Sequence, residues 1–169
     1  VSARRDAVGN GELRLYWQPQ YDLTSSGVTE LEALLRWQHP TRGLLGPGEF
    51  LSVAEECGLI EAIDWRMFEL SCKQAAVLCA DGGHININVS ARHLRRPDLH
   101  ERLTELLRAN GLNGSQLMVE VTEGMLLEQP ELVRATLEKL AADGVHAALD
   151  DFGTGYSSLS YLHTFPLRV

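Results

Sequence analysis

The sequence has no short cysteine pair, no apolar run long enough for a bilayer and no excess of positive charge, and each absence closes off a class of function. Cys57, Cys72 and Cys79 are odd in number and lack the paired spacings of zinc sites, so they read as reduced thiols of a cytosolic protein. Cys72 and Cys79 lie a helical period apart and read as core residues. The apolar run at residues 75–80 falls far short of the roughly 20 residues a membrane span needs. No signal peptide or transmembrane segment is read within these residues. With 15 basic against 23 acidic side chains the net charge is -8, the wrong sign for neutralising a nucleic acid polymer. A phosphate-bearing ligand would need local cations or a metal in order to approach. The turn Gly153-Thr154-Gly155 lacks both the Lys-Ser/Thr of a phosphate loop and the spacing of a dinucleotide fingerprint.

What is present is an unbroken alternation of strand-like and helix-like segments, with 44% hydrophobic residues across 169 positions. That pattern predicts an α/β domain with a sizeable core. Strands are expected at residues 13–20, 28–37, 85–90, 117–122 and 145–150, with a further one opening at 167–169. Helices are expected at 47–57, 61–80, 97–110 and 130–143, two of them opening with proline followed by an acid. Another is expected to start near Tyr156. The turn Ser25-Ser26-Gly27 predicts an antiparallel hairpin for the first two strands, whereas helical connections make the later strands parallel.

Side chains two apart in a strand share a face, and this alternation sorts the polar residues. Glu30, Glu32, Leu34 and Arg36 lie opposite Leu31, Ala33, Leu35 and Trp37. His84, Asn86 and Asn88 lie opposite Ile85, Ile87 and Val89. Met118, Glu120 and Thr122 lie opposite Val119 and Val121, and His146, Ala148 and Asp150 continue the polar side. One face is apolar, for helices to cover. The other carries acids and amides near the carboxyl ends of parallel strands, where barrel enzymes place their chemistry.

Asp150 and Asp151 are adjacent carboxylates at the end of an apolar strand, which is costly unless a cation lies between them. Glu32, Asn88, Glu120 and Asp150 together offer three carboxylates and an amide oxygen, a hard donor set for magnesium, manganese or calcium rather than zinc. Asp151 would complete a second site, with Asp150 bridging. Two ions about 3.5–4 Å apart would suit phosphoester hydrolysis. Arg36 reads either as a bidentate phosphate grip or as one half of a structural ion pair. Gln18 alone reads as an ordinary strand residue, with a ligand contact as the alternative. Glu123 either holds the loop after Asp150 or is simply the first acid of its own loop. His39, His93, His100 and His163 show no ligand spacing and read as surface or packing residues, while His84 and His146 point inward at strand starts.

Several motifs occur together along almost the whole chain: Gln18-Pro19, Glu32-Ala33-Leu34-Leu35-Arg36-Trp37, Pro47 with Glu49-Phe50, Ala54-Glu55 with Gly58-Leu59-Ile60, Asn88-Val89-Ser90, Glu120-Val121-Thr122-Glu123, and the stretch from Asp150 to Leu162. In this order they resemble the EAL domain, the bacterial cyclic di-GMP phosphodiesterase module. The resemblance implies a modified TIM-like (β/α) barrel with an antiparallel first strand. It also implies hydrolysis of cyclic di-GMP to linear pGpG in second-messenger signalling, with Mg2+ or Mn2+ as working ions and Ca2+ as an inhibitory one. By resemblance Glu32, Asn88, Glu120 and Asp150 hold one metal, and Asp150 and Asp151 the second. Gln18 and Arg36 match substrate-contacting positions. Glu123 matches the anchor of the loop after Asp150, a loop linked to dimerisation. A homodimer and an upstream sensor or GGDEF domain are the partners expected on the same ground.

Barrels of this type take roughly 250 residues, and the family's later active-site lysine, glutamate and glutamine lie past Val169. The expectation is therefore a partial EAL domain over residues 1–169, the N-terminal two thirds. By itself it would leave a barrel edge unpaired and be inactive, within an active parent or completed by a second copy. The alternative function is a noncatalytic cyclic di-GMP receptor or protein-interaction module on the same scaffold.

Overall fold

Apolar side chains at every second position of the parallel strands require a sheet with one covered face, and the helices between them supply the cover. The computed structural model describes residues 11–21, 27–80, 82–150 and 163–168. Its strands are β1 (Leu13–Tyr21), β2 (Val28–His39), β3 (Gly43–Leu45), β4 (His84–Asn88), β5 (Leu117–Thr122), β6 (His146–Asp150) and β7 (Leu167–Arg168). The α-helices are α1 (Leu51–Glu56), α2 (Ile60–Leu78), α3 (Ala91–Leu94), α4 (Leu99–Ala109), α5 (Glu123–Leu127) and α6 (Pro130–Ala142), with 3-10 turns at Pro47–Glu49 and Gly114–Gln116.

The strands form one sheet in the order β1-β2-β4-β5-β6-β7, with β3 paired to β2 off this path. β1 runs antiparallel to β2, and every later neighbour in that order is parallel. This is the TIM-like arrangement with an inverted first strand, and among the described residues the sheet does not close, leaving β1 and β7 at its ends. The apolar face is buried as the alternation requires. Ala33, Leu35, Trp37, Ile85, Ile87, Val119 and Val121 join Phe68, Cys72 and Ala75 of α2 and Leu103 and Leu107 of α4 in one hydrophobic core. α4 shows why a surface helix docks: Leu99, Leu103 and Leu107 recur every four residues and are its buried positions.

Two helix ends set the entry into the strands that carry acids. After α4, Gly111 sits at φ 70° while Leu112 N–H reaches back to Leu107 O at 3.0 Å. After α6, Gly144 sits at φ 85° while Val145 N–H reaches Leu140 O at 3.0 Å. Both are the left-handed helix stop that glycine adopts without steric cost, and each delivers the chain to its next strand.

Several boundaries differ from those expected. The helix expected at 47–57 is broken at Phe50, whose ring is buried edge-on against Trp37 at 5.8 Å. The strand expected at 85–90 stops at Asn88, because the Ser90 side chain accepts from His93 N–H and caps α3. Short elements β3 and α3 carry too few residues for a periodic signal. Asp151 and the helix expected near Tyr156 lie outside the described residues, as do Ser25 and Ser26 of the hairpin turn.

Candidate functional site

Register brings the polar residues together in rungs across the sheet. Gln18 is the Cα partner of Glu32, which neighbours Asn86; Asn88 neighbours Glu120; Thr122 neighbours Asp150. These side chains project to the face opposite the helices. Asn88 donates from Nδ2 to Glu32 Oε1 at 3.2 Å, joining two of the expected ligands. Glu120 is buried and its carboxyl is pushed up to about 7, first by burial and then by the negative charges of Glu32, Asp150 and Glu30, against one stabilising hydrogen bond from Asn86. Glu32, Glu120 and Asp150 therefore feel one another. Among the described residues, however, no three Asp, Glu, His or Cys side chains are gathered closely enough to hold a metal ion, so a cation would have to draw them in.

The chemistry of the donors nevertheless fits a hard dication. All are carboxylate or amide oxygens, and the charge that raises Glu120 is the charge a cation would relieve. Asp151, expected at a second metal, lies outside the described residues.

Arg36 is half-buried, donates to Leu35 O at 2.9 Å and has its guanidinium 6.0 Å from the Tyr16 ring centre. Among the described residues no carboxylate forms a salt bridge with it. It lies four residues beyond Glu32 along β2, roughly 13 Å at the rise of an extended strand. Gln18 is exposed on the same face. Glu123 is not a loop acid: it is the first residue of α5 and only 3% exposed.

Sequence reasoning placed Glu30 and Asn86 on the polar face but gave them no role, and the structure makes them part of the cluster. Asn86 Nδ2 donates to Glu30 Oε2 at 3.0 Å and to Glu120 Oε1 at 3.1 Å, with Gln20 Oε1 at 3.5 Å. The backbone of Arg168 pairs with Ala148, itself the neighbour of Glu120.

Behind the end of β4, Asp64 of α2 accepts from Ser90 Oγ at 2.5 Å and Ser90 N at 3.3 Å, and its Oδ2 lies 3.2 Å from His93 Nδ1. His93 is fully buried between Trp65 and Phe68, a packing residue as expected, but one tied to an acid. The clamp fixes the backbone two residues past Asn88. A cavity of about 430 Å³ lies alongside, lined in part by Leu34, Glu55, Asp64, Asn88 and Ser90.

Comparison with known proteins places this geometry. The family model described as "EAL domain" matches residues 1–169. Cyclic di-GMP phosphodiesterase NbdA of Pseudomonas aeruginosa is 39% identical over 166 residues, covering 96% of this chain and 21% of its own length. The structure of PaMucR phosphodiesterase in complex with c-di-GMP superposes with a TM-score of 0.91 at 36% identity, over 98% of this chain and 68% of that one. The FimX EAL domain of Pseudomonas aeruginosa bound to c-di-GMP gives 0.90 at 25% identity, over 99% and 68%. The chain spans 20% of the length of its first curated relative and 27% of the next. With its inverted first strand, its acid-bearing inner face and a family match over every residue, the chain belongs to the EAL domain family.

Proposed function

We propose that this chain forms part of a divalent-metal-dependent phosphodiesterase that hydrolyses cyclic di-GMP to linear pGpG in bacterial signalling. The observation that carries the reading is the coupling of Glu120 to Glu32 and Asp150 on the inner face, at strand ends matching a family with phosphodiesterases among its members. In hydrolysis, water adds to phosphorus, one P–O ester bond breaks, and the released oxygen leaves as a hydroxyl. When bound, Mg2+ or Mn2+ supplies positive charge against the phosphate and lowers the pKa of the attacking water.

The chain's own groups divide the remaining tasks. Glu32, Asn88, Glu120 and Asp150 would hold one ion and Asp150 with Asp151 the second, while Ca2+ in their place would inhibit. Arg36, with no carboxylate partner among the described residues, has N–H groups for a phosphate oxygen, and Gln18 stands across from Glu32 to contact the same ligand. The cavity beside Asn88 has room for a purine ring. Glu123 would anchor the loop that follows Asp150. We place the chain as the first two thirds of its domain, in the cytoplasm as its free cysteines suggest, with a homodimer and an upstream sensor or GGDEF domain as partners.

The test is hydrolysis of cyclic di-GMP by the full-length protein with Mg2+ or Mn2+, before and after Glu32→Ala. The variant should lose turnover by at least about a hundredfold. Full activity in Glu32→Ala would sink the metal role, and tight binding without turnover in the unaltered protein would favour a receptor.

A further inference from the structure

Among the described residues, the inner face carries an acid, Glu30, that the proposed metal set does not use. Glu30 lies two residues before Glu32 on β2, on the same face, and neither it nor Asn86 belongs to that set. Asn86 is 2% exposed, and its amide is oriented by its surroundings: both Nδ2 protons have carboxylate acceptors, Glu30 at 3.0 Å and Glu120 at 3.1 Å, while Oδ1 is buried with no hydrogen-bond partner. Turning the amide over would set its carbonyl oxygen against two carboxylates, so the acids dictate which end faces them. An orphaned carbonyl and two bridged acids make poor packing material. A small apolar side chain would fill the position without desolvating any of these groups.

The position of this amide matters more than its burial. Asn86 is two residues before Asn88, and Asn88 is the strand neighbour of Glu120. The Asn86 amide therefore reaches Glu120 from the rung nearer the strand starts and occupies Oε1. In that arrangement Oε2 is the Glu120 oxygen that would take a ligand.

We propose that Asn86 is a positioning residue for Glu120, and that Glu30 fixes the Asn86 amide in the orientation this requires. The pair sets the affinity of the site for a divalent cation by preorganising one carboxylate. Groups that orient a metal ligand through a hydrogen bond typically change metal affinity by 10- to 100-fold when removed. The inference rests on the proposed role of Glu120 as a metal ligand.

Calorimetric titration of the metal-free full-length protein with Mn2+ tests it, alongside turnover of cyclic di-GMP as a function of Mn2+ concentration. Asn86→Ala should weaken Mn2+ binding about tenfold, leave KM for cyclic di-GMP within about twofold, and regain most of kcat at saturating Mn2+. Glu30→Gln should weaken Mn2+ binding about threefold and add nothing to Asn86→Ala in the double variant, because it acts through the same amide. Asn86→Ser, which keeps a donor, should fall between wild type and alanine. If Asn86→Ala is too unstable to purify, Glu30→Gln and Asn86→Ser carry the test. Mn2+ affinity unchanged in these variants but lost in Glu120→Gln overturns the inference alone. Affinity retained in Glu120→Gln overturns the underlying ligand assignment.

Discussion

At the scale of the residue, Glu120 is the most informative side chain. Its carboxyl titrates near 4.5 in an unfolded chain and near 7 in the fold, with burial as the first cause and Glu32 as the second. Between those values the folded protein holds a proton that the unfolded chain has released, so stability falls as pH rises through that window and levels off above it. At about 1.4 kcal/mol per pKa unit the loss is on the order of 3–4 kcal/mol. Urea midpoints of metal-free protein should therefore drop between about pH 5 and 7.5, and Glu120→Gln should flatten that slope. A slope unchanged in the variant would assign the effect to another group. Millimolar Mn2+ should oppose the drop, because binding requires the deprotonated carboxylate. Alternation showed that Glu120 faces inward, but not that it would be strained there. That strain comes from burial and then from acids on β2 and β6, which lie about 90 and 30 residues away in sequence.

At the scale of the element, the parallel strands were legible because each turns an apolar face toward the helices: the strand at Leu117–Thr122 falls at its expected bounds, and β6 differs by one residue. Legibility failed where one side chain decides. Ser90 ends β4 by capping a helix, Phe50 breaks a helix by docking on Trp37, and Glu123 starts a helix where the sequence offered a loop anchor or a loop acid. A quieter constraint is Gly114, in the 3-10 turn that leads into β5. A Cβ built there would lie 2.0 Å from Asp143 O, a backbone atom in the turn that leads into β6. Gly114→Ala should cost about 2–3 kcal/mol by forcing the two turns apart. Gly111→Ala, which meets nothing within 4 Å, should cost only the ~1–2 kcal/mol of a left-handed backbone. Equal urea midpoints for the two variants would show that the close approach is relieved elsewhere. Because these turns launch the strands carrying Glu120 and Asp150, the difference should also appear in Mn2+ affinity.

At the scale of the whole molecule, architecture was the easiest feature to read and the assembled site the hardest. Inverted β1, parallel β2, β4, β5 and β6, and helices on one face all follow from hydrophobic period and turn chemistry. The amide bridge from Glu30 through Asn86 to Glu120 depends on register between β2, β4 and β5, which no local pattern encodes. The acid-bearing face also governs how a ligand arrives. Glu30, Glu32, Glu120 and Asp150 share one face in a chain of net charge -8, so cation-free protein should repel a nucleotide with two phosphodiester anions. Added KCl should then speed association of a fluorescent cyclic di-GMP analogue with the metal-free protein by screening that repulsion, and have much less effect once Mn2+ has neutralised the acids. Stopped-flow rates with the same salt slope in both states would contradict this. On the proposed function, the inner face would impose an order of encounter, cation first and nucleotide second, with availability of the ion setting the traffic of the messenger.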